Sequence, residues 1–397
     1  MNPDFHYYAT YCAAFLAGYP HNDCLDIAYS DQFVDLCSRT LLSGLDAPLS
    51  AATTQLQLEL MDTRTDIIGL QDITRIWSSF HFLPKDLKAE PPCACGKTYR
   101  NKYRLICGPN GELVRETVSL ARDKGMQATG LAMHVLADTW AHQHFAGTPS
   151  LVINNTNYYF YELIPNREGD AKGDGESYIE KELTFRHSAT QPDDLENSIY
   201  TSSLYSDSEN SIMNLGHGRA GHLPDYSFIR YKYLPAWGQY EEIIKDNPSD
   251  YWHAFCQMVY AMKCLRSADK EFSCGNYDTE SVAPHEETIR NIIAKRQADS
   301  SEDWKKFGES LSGSTIEPFD ISKYQDEYRS ADKEHKDETF IGRFILAALA
   351  QKSMVTNKIF TSGSKLAGYS IDYKTKGFKG MKDYKHLINY RGGGKKK

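Results

Sequence analysis

Apolar and polar positions recur with helical spacing along most of the chain. Residues 8–18 form a compact apolar stretch closed by Gly18, a residue that stops helices at little conformational cost. Asn22 or Asp23 predicts the cap of a second helix running to about Leu42. Further helices are predicted over 112–124 and from Gln127 through Trp140, and the same periodicity returns at 249–268, 286–297, 300–312 and 338–355. The stretch 45–65 is polar and ambiguous. Segment 85–110, with Pro91-Pro92, Gly96 and Gly108, predicts a loop or small hairpin.

Residues 147–215 break this pattern. They are rich in Asn, Ser, Thr, Asp and Gly, with a β-like patch at Asn157–Ile164 and few apolar anchors. A long irregular insertion or lid is expected there. The expected architecture is mainly α: a helical domain from 1–146 and 216–360, the insertion 147–215, and a basic tail over 361–397.

Composition agrees with a globular chain: 397 residues, 41% hydrophobic and 25% charged. The mean hydropathy is -0.55, and no apolar run approaches the roughly 18 residues of a membrane-spanning helix. The first residues lack a basic segment followed by an apolar run, so no cleaved secretory signal is expected. The nine cysteines are scattered and odd in number, which suits reduced thiols; a cytoplasmic protein, or one exported without a cleaved signal, is the expectation. Cys93-Ala94-Cys95 is too tight for an ordinary zinc knuckle. The net charge of -8 hides an asymmetry: residues 365–397 carry ten Lys/Arg against Asp372 and Asp383, a tail of +8 on a body of -16. Such a tail is either a solvated end or a contact for an anionic surface.

The richest chemistry lies at His134-Val135-Leu136-Ala137-Asp138-Thr139-Trp140-Ala141-His142-Gln143-His144. His134 and Asp138 stand about 40° apart on one helix face, and His142 extends that face by about as much. His144 lies about 80° to the other side, so it joins only if the helix ends near Trp140–Gln143. Imidazole and carboxylate at this spacing converge on one metal ion without backbone strain, and zinc accepts both. A second cluster, Gly216-His217-Gly218-Arg219-Ala220-Gly221-His222-Leu223-Pro224-Asp225, is a loop that can turn His217, His222 and Asp225 inward. A third is His81, set between Phe80 and Phe82, where a packed core histidine is the plainer reading. The fourth comprises Asp4 and His6 with Asp31 and Asp35, the last two read as i,i+4 on one helix; a carboxylate in apolar surroundings needs a cation.

The order of these clusters resembles a known family. His-x3-Asp-x5-His, met by His134, Asp138 and His144, with an upstream His81-Phe82 and Asp35, is similar to the zinc-dependent phospholipase C/P1 nuclease superfamily. More closely, Asp4-Phe5-His6-Tyr7, Gln32-Phe33-Val34-Asp35, Phe80-His81-Phe82-Leu83-Pro84, Asp138-Thr139-Trp140-Ala141-His142-Gln143 and Gly216-His217-Gly218 to Pro224-Asp225 resemble a bacterial family of unknown function, DUF6765. The resemblance covers residues 1–225. It implies a phospholipase C/P1 nuclease-like multi-helix domain holding two or three zinc ions. Asp35, His81, His134 and a bridging Asp138 would form one site. His144 or His142 with His217 would hold a second ion, and His6, with Asp4 in place of a terminal amine, a third. His222 and Asp225 stand where that superfamily carries a later ligand pair. The implied activity is hydrolysis of a phosphoester in a phospholipid or nucleic acid. Asp35 would act on the nucleophile, and Arg219 is a candidate phosphate clamp. The other class of reading is a non-catalytic protein whose helices a metal merely pins. Eleven candidate ligands exceed what one closed, four-coordinate structural ion needs.

Overall fold

A computed structural model describes residues 1–56, 67–92, 94–148, 156–166, 178–182, 220, 222–235 and 241–363. The N-terminal turn Asp4–Ala9 runs into α1 (Thr10–Leu16), which Gly18 closes at a positive φ of 89°. Helices α2 (His21–Phe33), α3 (Arg39–Gly44), α4 (Ile67–Phe80), α5 (Lys97–Tyr103), α6 (Glu112–Ala121) and α7 (Met126–Ala141) follow. Strands β1 (Thr156–Pro165), β2 (Tyr178–Glu182), β3 (Arg230–Pro235) and β4 (Ile243–Asp246) come next. Helices α8 (Asn247–Arg266), α9 (Glu286–Ala294), α10 (Ser301–Ser312), α11 (Ser322–Ser330) and α12 (Phe340–Thr361) complete the order. The fold is mainly helical with one small sheet.

Helix α7 is its axis. Every residue from Gln127 to Ala141 is buried. A helix apolar all round belongs inside a bundle, and α2, α4, α6, α8 and α12 surround it. Trp140, otherwise a buried donor without water, donates Nε1–H to Gln257 Oε1 on α8 at 2.9 Å. Helix α12 is anchored by its Thr339 cap, whose hydroxyl accepts from Gly342 N, and by Gln351, which donates to Ser79 O and to Thr117 Oγ1.

Several expected boundaries are corrected. The second helix stops at Phe33, not Leu42, and its cap position is Pro20, with no side-chain hydrogen bond from Asn22 or Asp23. Ser38 starts a new helix by accepting from Leu41 N, so Asp31 and Asp35 do not share a helix: Asp35 sits in the intervening turn. The expected loop at 85–110 contains α5, and α4 and α11 had no counterpart in the sequence reading.

The β-like patch is strand β1, but it belongs to a larger unit. The sheet runs β2-β1-β3-β4, all antiparallel, so β1 from within 147–215 pairs both with β2 and with β3, a strand that follows the insertion. Strand β3 alternates between half-buried and buried residues, as a one-sided strand should. Its Tyr231 and Tyr233 join Phe160, Phe82 and Phe145 in a small second core beside the helices. The described cysteines are all unpaired with one another. No described helix is long and apolar enough to cross a membrane.

Candidate metal centre

Helix α7 presents His134 and Asp138 one turn apart, both buried. Gly130, one turn earlier, permits the close approach of α2: a Cβ there would lie 2.2 Å from Ile27 O and 2.6 Å from Ser30 Cβ. That contact delivers Asp31, whose Oδ1 is 3.1 Å from His134 Nδ1 and whose Oδ2 accepts from the Thr10 hydroxyl at 2.6 Å. The turn after α2 adds Asp35, 3.8 Å from His134 Nε2 and 3.7 Å from His81 Nδ1.

Backbone carbonyls set the tautomers of two histidines. His81, just past α4, donates Nε2–H to Thr53 O at 3.0 Å. Its Nδ1 lone pair then faces Asp138 Oδ2 at 3.2 Å and His134 Nε2 at 3.3 Å. His142, the residue that ends α7, donates Nδ1–H to His81 O at 2.8 Å and turns Nε2 toward Asp225 Oδ1 at 3.4 Å. A neutral imidazole has one donor and one acceptor. Two acceptor nitrogens therefore face carboxylate oxygens, an arrangement that is repulsive unless a cation lies between them.

His6 gives the same indication. Its ring is fully buried and stacked on His134 with centroids 3.9 Å apart. Nδ1 lies 2.7 Å from Asp31 Oδ1 and Nε2 3.3 Å from Asp138 Oδ1, yet neither nitrogen has a hydrogen bond of acceptable direction. Buried polar atoms left in this way are rare and call for a ligand. The donors form two groups, His6–Asp31–His134 and Asp35–His81–His134, each with ligand atoms within 4.8 Å of one another. The first is sealed; the second reaches the surface through Asp35, 30% exposed. Asp138 stands between them. Its Oδ2 lies within 3.5 Å of His81, His134 and His142, and its Oδ1 meets His6 and the α-amine of Met1.

The charge balance favours cations. Asp138 and Asp225 meet one amine, that of Met1, at 2.8 Å and 3.3 Å, and Asp31 and Asp35 lie against His134. Burial lowers the pKa of that amine, but Asp138, Asp225 and Asp35 outweigh it and raise it to about 11. His134 is likewise pushed up to about 10, burial being overcome by Asp138 and Asp35. His6 is raised against both burial and His134, chiefly by Asp31. Burial would raise Asp138, yet His142, the Met1 amine and His134 hold it well below the ordinary carboxylate range.

Of the sequence candidates, the structure brings together His6, Asp35, His81, His134, Asp138, His142 and Asp225. His222 lies at the rim, 55% exposed and 3.7 Å from Asp225 Oδ2. Asp4 does not face the cluster: its carboxylate accepts from Phe5 N at 2.8 Å and Ser300 N at 3.0 Å, so it caps the start of α10. Burial raises its pKa to about 6. His144 also turns away, although α7 ends where required. Its φ of 77° sends the side chain into a separate cavity of about 180 Å³ with Lys85 and Cys107. Burial, Lys245 and Lys85 lower its pKa to about 4. His217, Arg219 and the tail from residue 364 lie outside the described residues. The sequence groups Asp31 with Asp35 but gives it no ligand role, and the structure places it in the site. The signal was present: Asp31 falls one turn after Ile27, on the buried face of α2.

The arrangement is a buried, His- and Asp-rich cluster with two groups of side chains that could hold a metal ion. The chain belongs to the family of unknown function DUF6765, whose model matches residues 1–359. Searches of curated proteins and of solved structures gave no match to the chain.

Proposed function

We propose that the protein is a metal-dependent hydrolase of phosphoester bonds with two or three zinc ions in the Asp138 cluster. The observation that carries this reading is the pair of histidines, His81 and His142, whose N–H groups are committed to backbone carbonyls while their other nitrogens face carboxylates. That is the second-sphere arrangement by which proteins orient metal-binding imidazoles. The mixed His and Asp donors suit zinc best.

Divalent ions held there would supply a water nucleophile at neutral pH and screen the charge on phosphoryl oxygens. The side chains divide the remaining work. Asp138 sets Oδ2 against the His81, His134 and His142 rings and Oδ1 against His6 and the Met1 amine, and so stands between the two groups. Asp31, tied by Thr10, accepts from His134 Nδ1–H and leaves Nε2 directed at Asp35 and His81. Asp35 is the exposed carboxylate of the outer group, placed to accept a proton from an entering water. The similarity of the His134, Asp138, His81 and Asp35 spacing to the phospholipase C/P1 nuclease superfamily supports phosphoesters as the substrate class.

A second reading rests on the inner group. His6, Asp31 and His134 are wholly buried, as in a closed structural site. An ion there would pin the N-terminal turn, α2 and α7 without catalysis.

Elemental analysis of chelator-free protein beside Asp138→Asn, with hydrolysis of bis-p-nitrophenyl phosphate, separates the two. The hydrolase requires at least two ions per chain, loss of more than half of them in Asp138→Asn, and activity abolished by chelation and restored by zinc. One tightly held ion that survives the substitution, with no hydrolysis by the wild type, would refute it in favour of the structural site.

A further inference from the structure

The C-terminal end of α7 is held by a buried charge. Lys245, on β4, is 1% exposed and its side chain is fully buried. Its Nζ donates to Trp140 O at 2.8 Å and to Asp250 Oδ2. Trp140 O belongs to the last turn of α7, where a helix runs out of N–H groups to bond its own carbonyls. A cation there also complements the negative end of the helix dipole. Asp250 sits in the first turn of α8, the favourable end for an anion. Its Oδ2 accepts a second bond, from Gln143 Nε2 at 2.9 Å. Lys245, Asp250 and Gln143 therefore clamp the end of α7 between β4 and α8.

Stability alone does not account for this clamp. Burial lowers the Lys245 pKa and raises that of Asp250, each opposed by the partner. A buried ion pair adds little net stability, because desolvation offsets the attraction. What the pair supplies is direction, and it supplies it beside the metal centre. His142 ends α7 with Nδ1–H on His81 O and Nε2 toward Asp225. Two residues on, His144 takes its φ of 77°, gives its N–H to Cys107 O at 3.0 Å and leaves the cluster. The change from helix to turn falls between Ala141 and His144. The clamp holds the carbonyl just before that change and the Gln143 side chain within it.

We infer that Lys245 and Asp250 are positioning residues of the metal centre. By holding Trp140 O and Gln143 they end α7 where His142 is directed at Asp225 and His144 is directed away. They act through His142. Lys245 stands opposite Tyr231 in the sheet, so the same contact ties the small sheet to the site. The inference rests on the metal-dependent reading of the Asp138 cluster.

The test is competitive zinc titration of the full-length protein, with hydrogen–deuterium exchange of its ion-free form. Lys245→Met combined with Asp250→Asn removes both charges, so neither is left buried alone. It should weaken zinc binding about tenfold. Gln143→Ala, at a half-buried position, leaves the ion pair intact and should weaken binding about threefold. In a His142→Ala background, the zinc still bound should keep its affinity within about twofold when either change is added. In the ion-free protein, both variants should speed exchange at the amides of His142, His144 and Phe145 while those from Leu131 to Leu136 stay slow. A general loss of stability would move both sets together. A wild type that binds no zinc would overturn the metal reading, and this inference with it. A wild type that binds zinc, with equal losses in the His142→Ala background or unchanged exchange at 142–145, would overturn this inference alone.

Discussion

Gly130→Ala tests the link between helix packing and the metal centre. The added methyl would sit 2.2 Å from Ile27 O, 2.6 Å from Ser30 Cβ and 2.9 Å from Asp31 N. Ordinary contact begins near 3.4 Å. Helix α2 must therefore back away from α7 by about 1 Å, since neither backbone can yield locally inside a close-packed core. Asp31 moves with α2, and its 3.1 Å contact with His134 opens to about 4 Å, beyond hydrogen-bond range. Overpacking of this kind costs about 1–3 kcal/mol. For a cooperative unit of this length that is a loss of roughly 2–5 °C in Tm. Losing the Asp31 support of His134 should weaken metal affinity by about 10–100-fold. Gly44→Ala is the control, because a Cβ there meets nothing within 4 Å and the position is helical. It should be neutral or stabilising by up to about 1 kcal/mol. Differential scanning calorimetry and competitive zinc titration read the two quantities. A Gly130→Ala protein with wild-type Tm and wild-type metal affinity would refute the claim that this contact builds the site.

Other outcomes follow from the same geometry. Asp4→Ala should cost about 1–3 kcal/mol in denaturant unfolding, by stranding Ser300 N, while metal content stays at the wild-type level; a loss of ions would return Asp4 to the ligand set. In the ion-free protein, His134 and the Met1 amine titrate higher when folded than their ordinary values of 6.5 and 8.0. Their stabilisation is therefore complete below about pH 6.5 and is lost as pH rises toward 10–11. Asp138 has the opposite sign, contributing above its ordinary 3.8 and losing that contribution as pH falls below it. Urea midpoints of ion-free protein should fall between pH 6.5 and 10, and a flat profile would contradict the charge balance described. Zinc must displace the same protons, so its affinity should rise over that window with proton release, measurable by calorimetry in buffers of different ionisation enthalpy.

The sequence shows the helices that are largely apolar, such as α7 and α12. It hides those decided by tertiary context. The turn at Val34–Leu36 splits one apparent helix without a glycine or proline to announce it, and only Ser38 as a cap betrays the restart. Strand β3 carries a Tyr-x-Tyr alternation that is visible once its partner β1 is known, but is too short to stand out alone. In the site, His134 and Asp138 are legible from i,i+4 spacing because one element carries both. The choice of His142 over His144 is not, because it depends on a single left-handed residue after the helix end. Asp4 misleads for a different reason. Its neighbour His6 enters the cluster, while the helical turn points Asp4 back toward Ser300.

Helix α7 also fixes how the molecule opens. Its residues from 127 to 141 are all buried, so their amide hydrogens should exchange with deuterium chiefly when the surrounding helices separate. Those amides should form the slowest-exchanging set in the protein. His134 and Asp138 ride on this same segment, so an ion held in the sealed His6–Asp31–His134 group would leave on the timescale of that opening. Metal loss would then be a slow, heat-accelerated event, recorded as kinetic persistence even where the equilibrium affinity is modest.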